Sequence, residues 1–551
     1  MNDSSKYFFE RALELLHKKT FDSYRVNLHN PYTIFDELEK SIERLNKKRI
    51  KHFDPTITSI IAEAETHITN SDLIYVFNFG GFTQKQLSEL LKSGKDGKRN
   101  RTLSLISKTI CLGNIDFKSL LSDSIKDLLI NDNDQSYGQI DLYTSWLITQ
   151  LVFHGYSRKY ILDTIRYALN QLRGGRTIEE VFEPIKNNFN KEKDSYDVIF
   201  KIKCSLNQEL RLASNLLNVL PEFPNEFKNN QYVNEKFQEK ALDEQYLITN
   251  INSFDFKSTL RKSLQLVSET IELNVLHDSE NKIITEKQAL IIHSTSRLFR
   301  FWPIEEDIDG FYQYQEDEFY RFIDNYKSMN DVSVAREKIK SAIRFYKLGN
   351  DSLEVEHKIL NYWIGFEQLF SSVDTEEDSI KRIKSYFVAI NAVFYWQRKT
   401  NYLLNSISRA GGTLIIDDLI SANEANCDTY SPLLKTRYRC HLSRFNAGGE
   451  LRSLLEQHIK RLEQHLTRIY RVRNELVHEG RSTVDLYLLA GHLRHYLLFS
   501  IEQITNELAE NPTLDQIDDV FVYFETLLTR IKSANNIQEI FSIKQYRGYM
   551  E

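Results

Sequence analysis

GELRSLLEQHIKRLEQHLTRIYRVRNELVHEG, residues 449–480, is the stretch on which the reading of this 551-residue chain turns. Leu451, Leu455, Leu462, Leu466 and Ile469 recur at helical spacing and form the stripe of an amphipathic helix facing a core. The next step of four lands on Arg473, and the stripe resumes at Leu476 and Val477. An arginine there must be desolvated, paired, or turned toward something other than apolar core. Glu367, in "WIGFEQLF" on another helix, is the natural partner for a buried salt bridge. Asn474 and His478, four apart, share a face. Arg473 and His478, five apart, stand about 140° from each other around the axis. Either the guanidinium reaches round, or the helix loosens before His478. Gly480 is a plausible stop, with Ser482 or Thr483 capping the helix that follows.

Outward from this stretch the chain is mainly α. Gly and Pro are scarce (19 and 8) and Leu, Ile, Lys and Glu are common. The length allows two to four domains. A net charge of -6 gives no global attraction to nucleic acid or membrane, so any such binding needs a local patch. Cys111, Cys204, Cys427 and Cys440 are far apart and form no CxxC pair. Reduced thiols are expected, with no zinc site, disulfide framework, metal or cofactor. The N-terminal residues do not read as a signal peptide, and no apolar run is long enough to span a bilayer, so the expectation is cytoplasmic, with no membrane partner.

Residues 1–190 read as a helical N-terminal region, with helical spacing in "YFFERALELLHKK", "IFDELEKSIERL", "FTQKQLSELLKS", "LYTSWLITQLVFHG" and "RKYILDTIRYALNQL". "SGKDGKRNR" (93–101) lacks the phosphate-cradling spacing and reads as a solvated turn. In "LRGGRT" the glycines end one helix and Thr177 caps the next. Residues 194–330 read as a small α+β middle domain, a split βαβ layer. Its strands are "SYDVIFKIKCSL", "EQYLITNIN", "ELNVL" and "QALIIHS"; its helices are "NQELRLASNLLNVL" and "DFKSTLRKSLQLVSETI". The acidic, aromatic "RFWPIEEDIDGFYQYQEDEFYRF" links or docks domains. Residues 333–510 read as an antiparallel helical bundle, and 511–551 as a helical extension.

R-N-x-x-x-H at the end of a long amphipathic helix, with Tyr470 before it and Gly480 after it, resembles the HEPN ribonuclease superfamily. "IYRVRNELVHEG" with the upstream "YWIGFEQLF" helix looks most like the ApeA-type HEPN domains of bacterial anti-phage and toxin proteins. The resemblance covers about 333–510. It implies a HEPN-like bundle acting as a metal-independent endoribonuclease in a homodimer or higher even oligomer. The matching catalytic positions are Arg473, Asn474 and His478, with Glu367 corresponding less closely to an acidic residue of the second bundle helix. It also implies a toxin or phage-defence role, with a phage-derived trigger or an inhibitory partner.

The residues suit that chemistry. RNA carries its own nucleophile in the 2′-OH, so cleavage needs a base, an acid and positive charge on the phosphate. Histidine titrates near neutrality, and arginine's permanent planar charge suits a phosphate gaining charge. One histidine does not conveniently serve as both base and acid in one turnover; a two-fold dimer supplies two. On this reading Arg473 is unpaired within its own chain and faces the partner subunit. The products would be a 2′,3′-cyclic phosphate and a 5′-hydroxyl. Between Lys435 and Arg473 there are ten basic and three acidic residues. "LLKTRYRCHLSRF" interleaves aromatics with them, as a groove for tRNA or another structured RNA would, making Lys435, Arg437, Arg439, Arg444 and Arg471 RNA-binding candidates. The alternatives are a solvated basic face, and a non-catalytic RNA-binding or dimerisation bundle in which Arg473 is a structural ion pair. The toxin half of a two-gene system is a third reading. His458, His465, His492 and His495 read as surface or rim histidines rather than metal ligands. No Walker motif, HExxH or nucleophile elbow is present.

Overall fold

A computed structural model describes residues 1–17, 29–47, 55–69, 83–94, 100–112, 117–204, 210–220, 222–228, 235–276, 283–304, 316–329, 333–352, 354–371, 379–414, 427, 429–447, 450–480, 486–511, 513–514 and 516–543. The chain is mainly helical with one small antiparallel sheet and divides into two units. The first comprises Met1–Thr149, Asp309–Asp351 and Glu356–Glu551; the second comprises Gln150–Ile308 and Ser352–Val355. The boundaries expected near 190 and 330 therefore do not coincide with the units. The N-terminal helices join the C-terminal ones in a single body.

That body opens with α1 (Asp3–Leu16), α2 (Pro31–Asn46), α3 (Pro55–Thr69), α4 (Gln84–Gly94), α5 (Asn100–Leu112), α6 (Phe117–Asn131) and most of α7 (Tyr137–Phe153). The Asn30 side chain accepts from the Tyr32 and Thr33 amides at the start of α2, and Thr33 answers with its hydroxyl to the Asn30 amide at 3.0 Å. This reciprocal cap fixes where α2 begins and which face it buries. Ile34, Phe35, Leu38 and Ile42 are wholly buried on that face. Of the loop read at 93–101, residues 95–99 lie outside the described residues, while Ser93 and Gly94 end α4 and Asn100 and Arg101 open α5.

In the second unit, α8 (Arg158–Arg173) and α9 (Ile178–Phe189) meet at Gly174 and Gly175, the latter at φ +95°. Thr177 caps α9 in a reciprocal bond with Glu180, as the sequence predicts. The strands β1 (Asp194–Lys203), β2 (Leu217–Leu220), β3 (Glu244–Ser253), β4 (Ile284–His293) and β5 (Phe299–Pro303) order as β2-β3-β1-β4-β5, every pair antiparallel. The single turn α10 (Glu235–Gln238) precedes β3, and α11 (Phe256–Val275) connects β3 to β4. Since β1 lies between β3 and β4 and opposes both, those two strands run the same way. That is the split βαβ arrangement. Alternate β1 residues, Tyr196, Val198, Phe200 and Ile202, join Leu260 and Val267 of α11 in one core, while Ile199 faces Phe223, Phe227 and Phe237 on the other side. Two expectations are corrected. "ELNVL" is the end of α11, not a strand; of the helix read at 207–220, residues 207–209 lie outside the described residues, and the rest ends in β2.

The remaining helices return to the first unit: α12 (Glu316–Ser328), α13 (Val334–Asp351), α14 (Val355–Phe370), α15 (Ser379–Val393), α16 (Tyr395–Arg409), α17 (Pro432–Ala447), α18 (Leu451–Glu479), α19 (Leu486–Glu510), α20 (Ile517–Ser533) and α21 (Ile537–Ile543). Part of the segment read as an acidic, aromatic linker is β5 and α12; its stretch 305–315 lies outside the described residues. Phe366 and Phe370 of α14, Phe387 of α15, Tyr496 of α19 and Phe521 of α20 form a continuous aromatic core. Within the expected extension beyond 511, α20 thus contributes to that core. No helix among the described residues is long and apolar enough to cross a membrane.

Candidate functional site

The helix α18 has the predicted stripe: Leu451, Leu455, Leu462, Leu466, Ile469 and Leu476 are buried, whereas Val477 is half exposed. It runs unbroken to Glu479 and stops at Gly480, which takes φ +68° and donates its amide to the Leu476 carbonyl at 3.1 Å. The helix therefore does not loosen before His478. A left-handed residue is what a helix end of this kind requires, and glycine adopts it without steric cost. The caps proposed at Ser482 and Thr483 lie outside the described residues.

Arg473 keeps 26% of its side chain exposed and stands 3.7 Å from the Glu367 carboxylate on α14. Its Nη1 donates to Asn474 Oδ1 at 3.0 Å. Arg473 is therefore not unpaired within its own chain, a correction to the sequence expectation. Glu367 in turn accepts from the Ser379 hydroxyl at 3.4 Å. The Tyr470 ring meets Trp363 of α14 at 5.7 Å, holding this face of α18 against α14. His478 is exposed, one turn beyond Asn474. Arginine, amide and carboxylate are thus brought together, and the imidazole stands in solvent at the helix end.

The opposite face of α18 carries a charge network absent from the sequence reading. Glu37 of α2 accepts from Arg468 Nε at 3.1 Å, pairs with Arg471, and lies 2.5 Å from His29 Nε2. Glu63 of α3 takes the other end of Arg468 at 2.6 Å. Burial alone would raise the Glu37 carboxyl; Arg468, Arg471 and His29 override it and hold it well below the usual carboxylate range. Arg44 of α2 pairs with Glu475 and, at 3.0 Å, with Glu479. This network ties α2 and α3 to α18.

The RNA-binding candidates divide. Arg471 is buried and committed to Glu37, so its assignment to an open groove is corrected. Arg437 pairs with Glu14 of α1 and stacks over Tyr402 at 5.4 Å. Lys435 and Arg444 are partly exposed and Arg439 exposed, all on α17, which packs on α1 and α16. The histidines expected at the surface are buried. His458 contacts Asn391 at 3.0 Å; His465 contacts His492 at 3.0 Å and Tyr496 at 3.1 Å, and desolvation followed by the neighbouring His492 and Arg468 drives its pKa well down.

Glu37 and Arg44 left only a faint trace in the sequence. Glu37 falls among the buried positions Ile34, Leu38 and Ser41 of α2, but nothing local says that its two arginine partners stand more than 400 residues away. None of the four cysteines, all among the described residues, is in a disulfide. Compared with family models, curated proteins and solved structures, the chain matches none.

Proposed function

We propose that the chain is a metal-independent endoribonuclease of the HEPN type, acting as a homodimer on RNA in the cytoplasm. The observation that supports this is the end of α18: a guanidinium still open to solvent, an amide bonded to it, and an exposed imidazole one turn further on. Arg473 and Asn474 would hold the scissile phosphate, His478 would move the proton of the 2′-OH or of the leaving 5′-oxygen, and the partner's equivalent histidine would take the other role. Glu367 would orient Arg473 until phosphate competes for it. Regulation as a toxin or anti-phage effector, by a trigger or an inhibitory partner, is part of the same proposal and rests on the resemblance.

The Arg473–Glu367 pair favours a second reading, a non-catalytic RNA-binding or dimerisation bundle in which that pair is structural. RNA cleavage in EDTA separates the two. The enzyme yields 2′,3′-cyclic phosphate and 5′-hydroxyl ends, and His478→Ala lowers the rate by at least about a hundredfold. Its melting temperature stays within about two degrees of wild type, as for an exposed side chain. Cleavage that survives His478→Ala, or that needs a divalent metal, refutes this mechanism.

A further inference from the structure

Two faces of the last turns of α18 meet different helices. Tyr470 and Arg473 contact α14, and Arg468, Arg471, Glu475 and Glu479, spaced three, four and four, contact α2 and α3. The second set ends in an unfavourable arrangement. Glu475 and Glu479 are like charges one turn apart, and both lie at the end of the helix where the unsatisfied carbonyls concentrate negative charge. Within the last turn of α18 the only basic residue is His478. Glu475 is buried, so its charge is poorly screened by water. The final two turns, which carry Asn474 and His478, are therefore the part of α18 with the most reason to fray.

Arg44 opposes this from α2. Its Nη1 pairs with Glu475 and its Nη2 stands 3.0 Å from Glu479, so one planar guanidinium bridges both carboxylates. Arg471 adds a second cation 3.4 Å from Glu475, and Arg471 is itself held by Glu37 of α2. We infer that Arg44 is a positioning residue: by bridging Glu475 and Glu479 it keeps the last turns of α18 helical, so that Asn474 and His478 meet the same phosphate as Arg473. The N-terminal helices are then part of the site's construction rather than an appended regulatory region. The inference rests on the ribonuclease reading above.

The test uses the full-length chain, amide hydrogen exchange, and cleavage of a mixed-sequence single-stranded RNA oligonucleotide in EDTA. In Arg44→Ala, exchange at residues 474–479 accelerates about tenfold or more while residues 455–466 keep wild-type protection. The cleavage kcat falls about tenfold with KM within about twofold, since no RNA contact is removed. Arg44→Lys, which keeps the charge but not the planar fork, restores only part of both, and adding Glu479→Gln to Arg44→Ala slows exchange again by removing the repulsion. These variants also serve should Arg44→Ala alone fold poorly. Unchanged exchange at 474–479, or faster exchange with unchanged kcat, in a protein that cuts RNA overturns the role of Arg44 alone. Wild-type protein that cuts no RNA in EDTA overturns the ribonuclease reading, and the catalytic consequence with it.

Discussion

Three arginines within six residues of α18 meet three different fates. Arg468 and Arg471 are buried and paired with carboxylates from α2 and α3, whereas Arg473 stays partly in water beside Glu367. Removing one partner of a buried pair strands the other charge, so Glu37→Ala should cost roughly 3–5 kcal/mol. Arg473→Ala should cost at most about 1 kcal/mol, the scale of a half-exposed pair. Urea unfolding of both variants checks this contrast; equal losses would mean Arg473 is as structural as its neighbours. Histidine burial gives a pH prediction. Burial, then nearby Arg444 and Lys399, pushes His441 down to about 4, and His465 lies well below its usual value. Between about 6.5 and 4 the unfolded chain binds protons that the folded chain excludes, so this stability is complete above 6.5 and is lost as pH falls. Glu37 and Glu63, both depressed, add a second loss below about 4.5. The melting temperature should fall from pH 7 to 5, then more steeply below 4.5. His441→Gln should flatten the upper part, and a level profile from pH 7 to 5 would contradict the assignment.

At the scale of the element, periodicity carried most of what could be read. The helices at α1, α2, α4, α7, α8, α14 and α18 stand where the sequence reading places them, and the Gly174–Thr177 stop and start is local chemistry that needs no distant partner. The failures are also physical. "ELNVL" has strand-like composition, but its first four residues close α11 with Leu273 and Val275 exposed, and it is Asn274 that is buried, accepting from the Arg211 amide and donating to the Arg211 carbonyl, both at 2.9 Å. The spacing of "DSIKRIKSYFVAINAVFYWQ" reads as one helix and misses the α15–α16 junction at Phe394, which no glycine or proline marks. Nor does spacing reveal how closely helices approach. Gly349 on α13 leaves room for the Tyr362 ring of α14: a methyl there would come within 2.3 Å of it. That ring is fully buried, with its hydroxyl bonded to Asn350 at 2.8 Å, and has little freedom to retreat. Gly349→Ala should therefore destabilise by about 1–3 kcal/mol, although the same change in an open helix would stabilise it. Thermal melting decides the sign.

At the scale of the whole molecule, the arrangement of the first unit was not legible, because it rests on charge pairs between residues more than 400 positions apart. Glu14 with Arg437, Glu37 with Arg468 and Arg471, and Arg44 with Glu475 each join an N-terminal helix to a C-terminal one. Any one of these residues, read alone, is an ordinary surface charge on an amphipathic helix. Their expected consequence is that the C-terminal helices do not fold as a self-sufficient domain. A fragment of residues 309–551 would expose the face of α18 that α3 covers and leave Arg468 and Arg471 without their carboxylates. Solvent would rehydrate those arginines, but the part of the packing on α18 that α2 and α3 supply would be lost. Such a fragment should keep much of its far-UV helical signal, lose a cooperative thermal transition and bind a hydrophobic dye. Co-expression with residues 1–149 as a separate chain should restore the transition, since the missing face is supplied by contacts rather than by chain connection. A sharp, cooperative melt from residues 309–551 alone would show that the bundle stands without its N-terminal cover, and the case for one interdependent unit would fail.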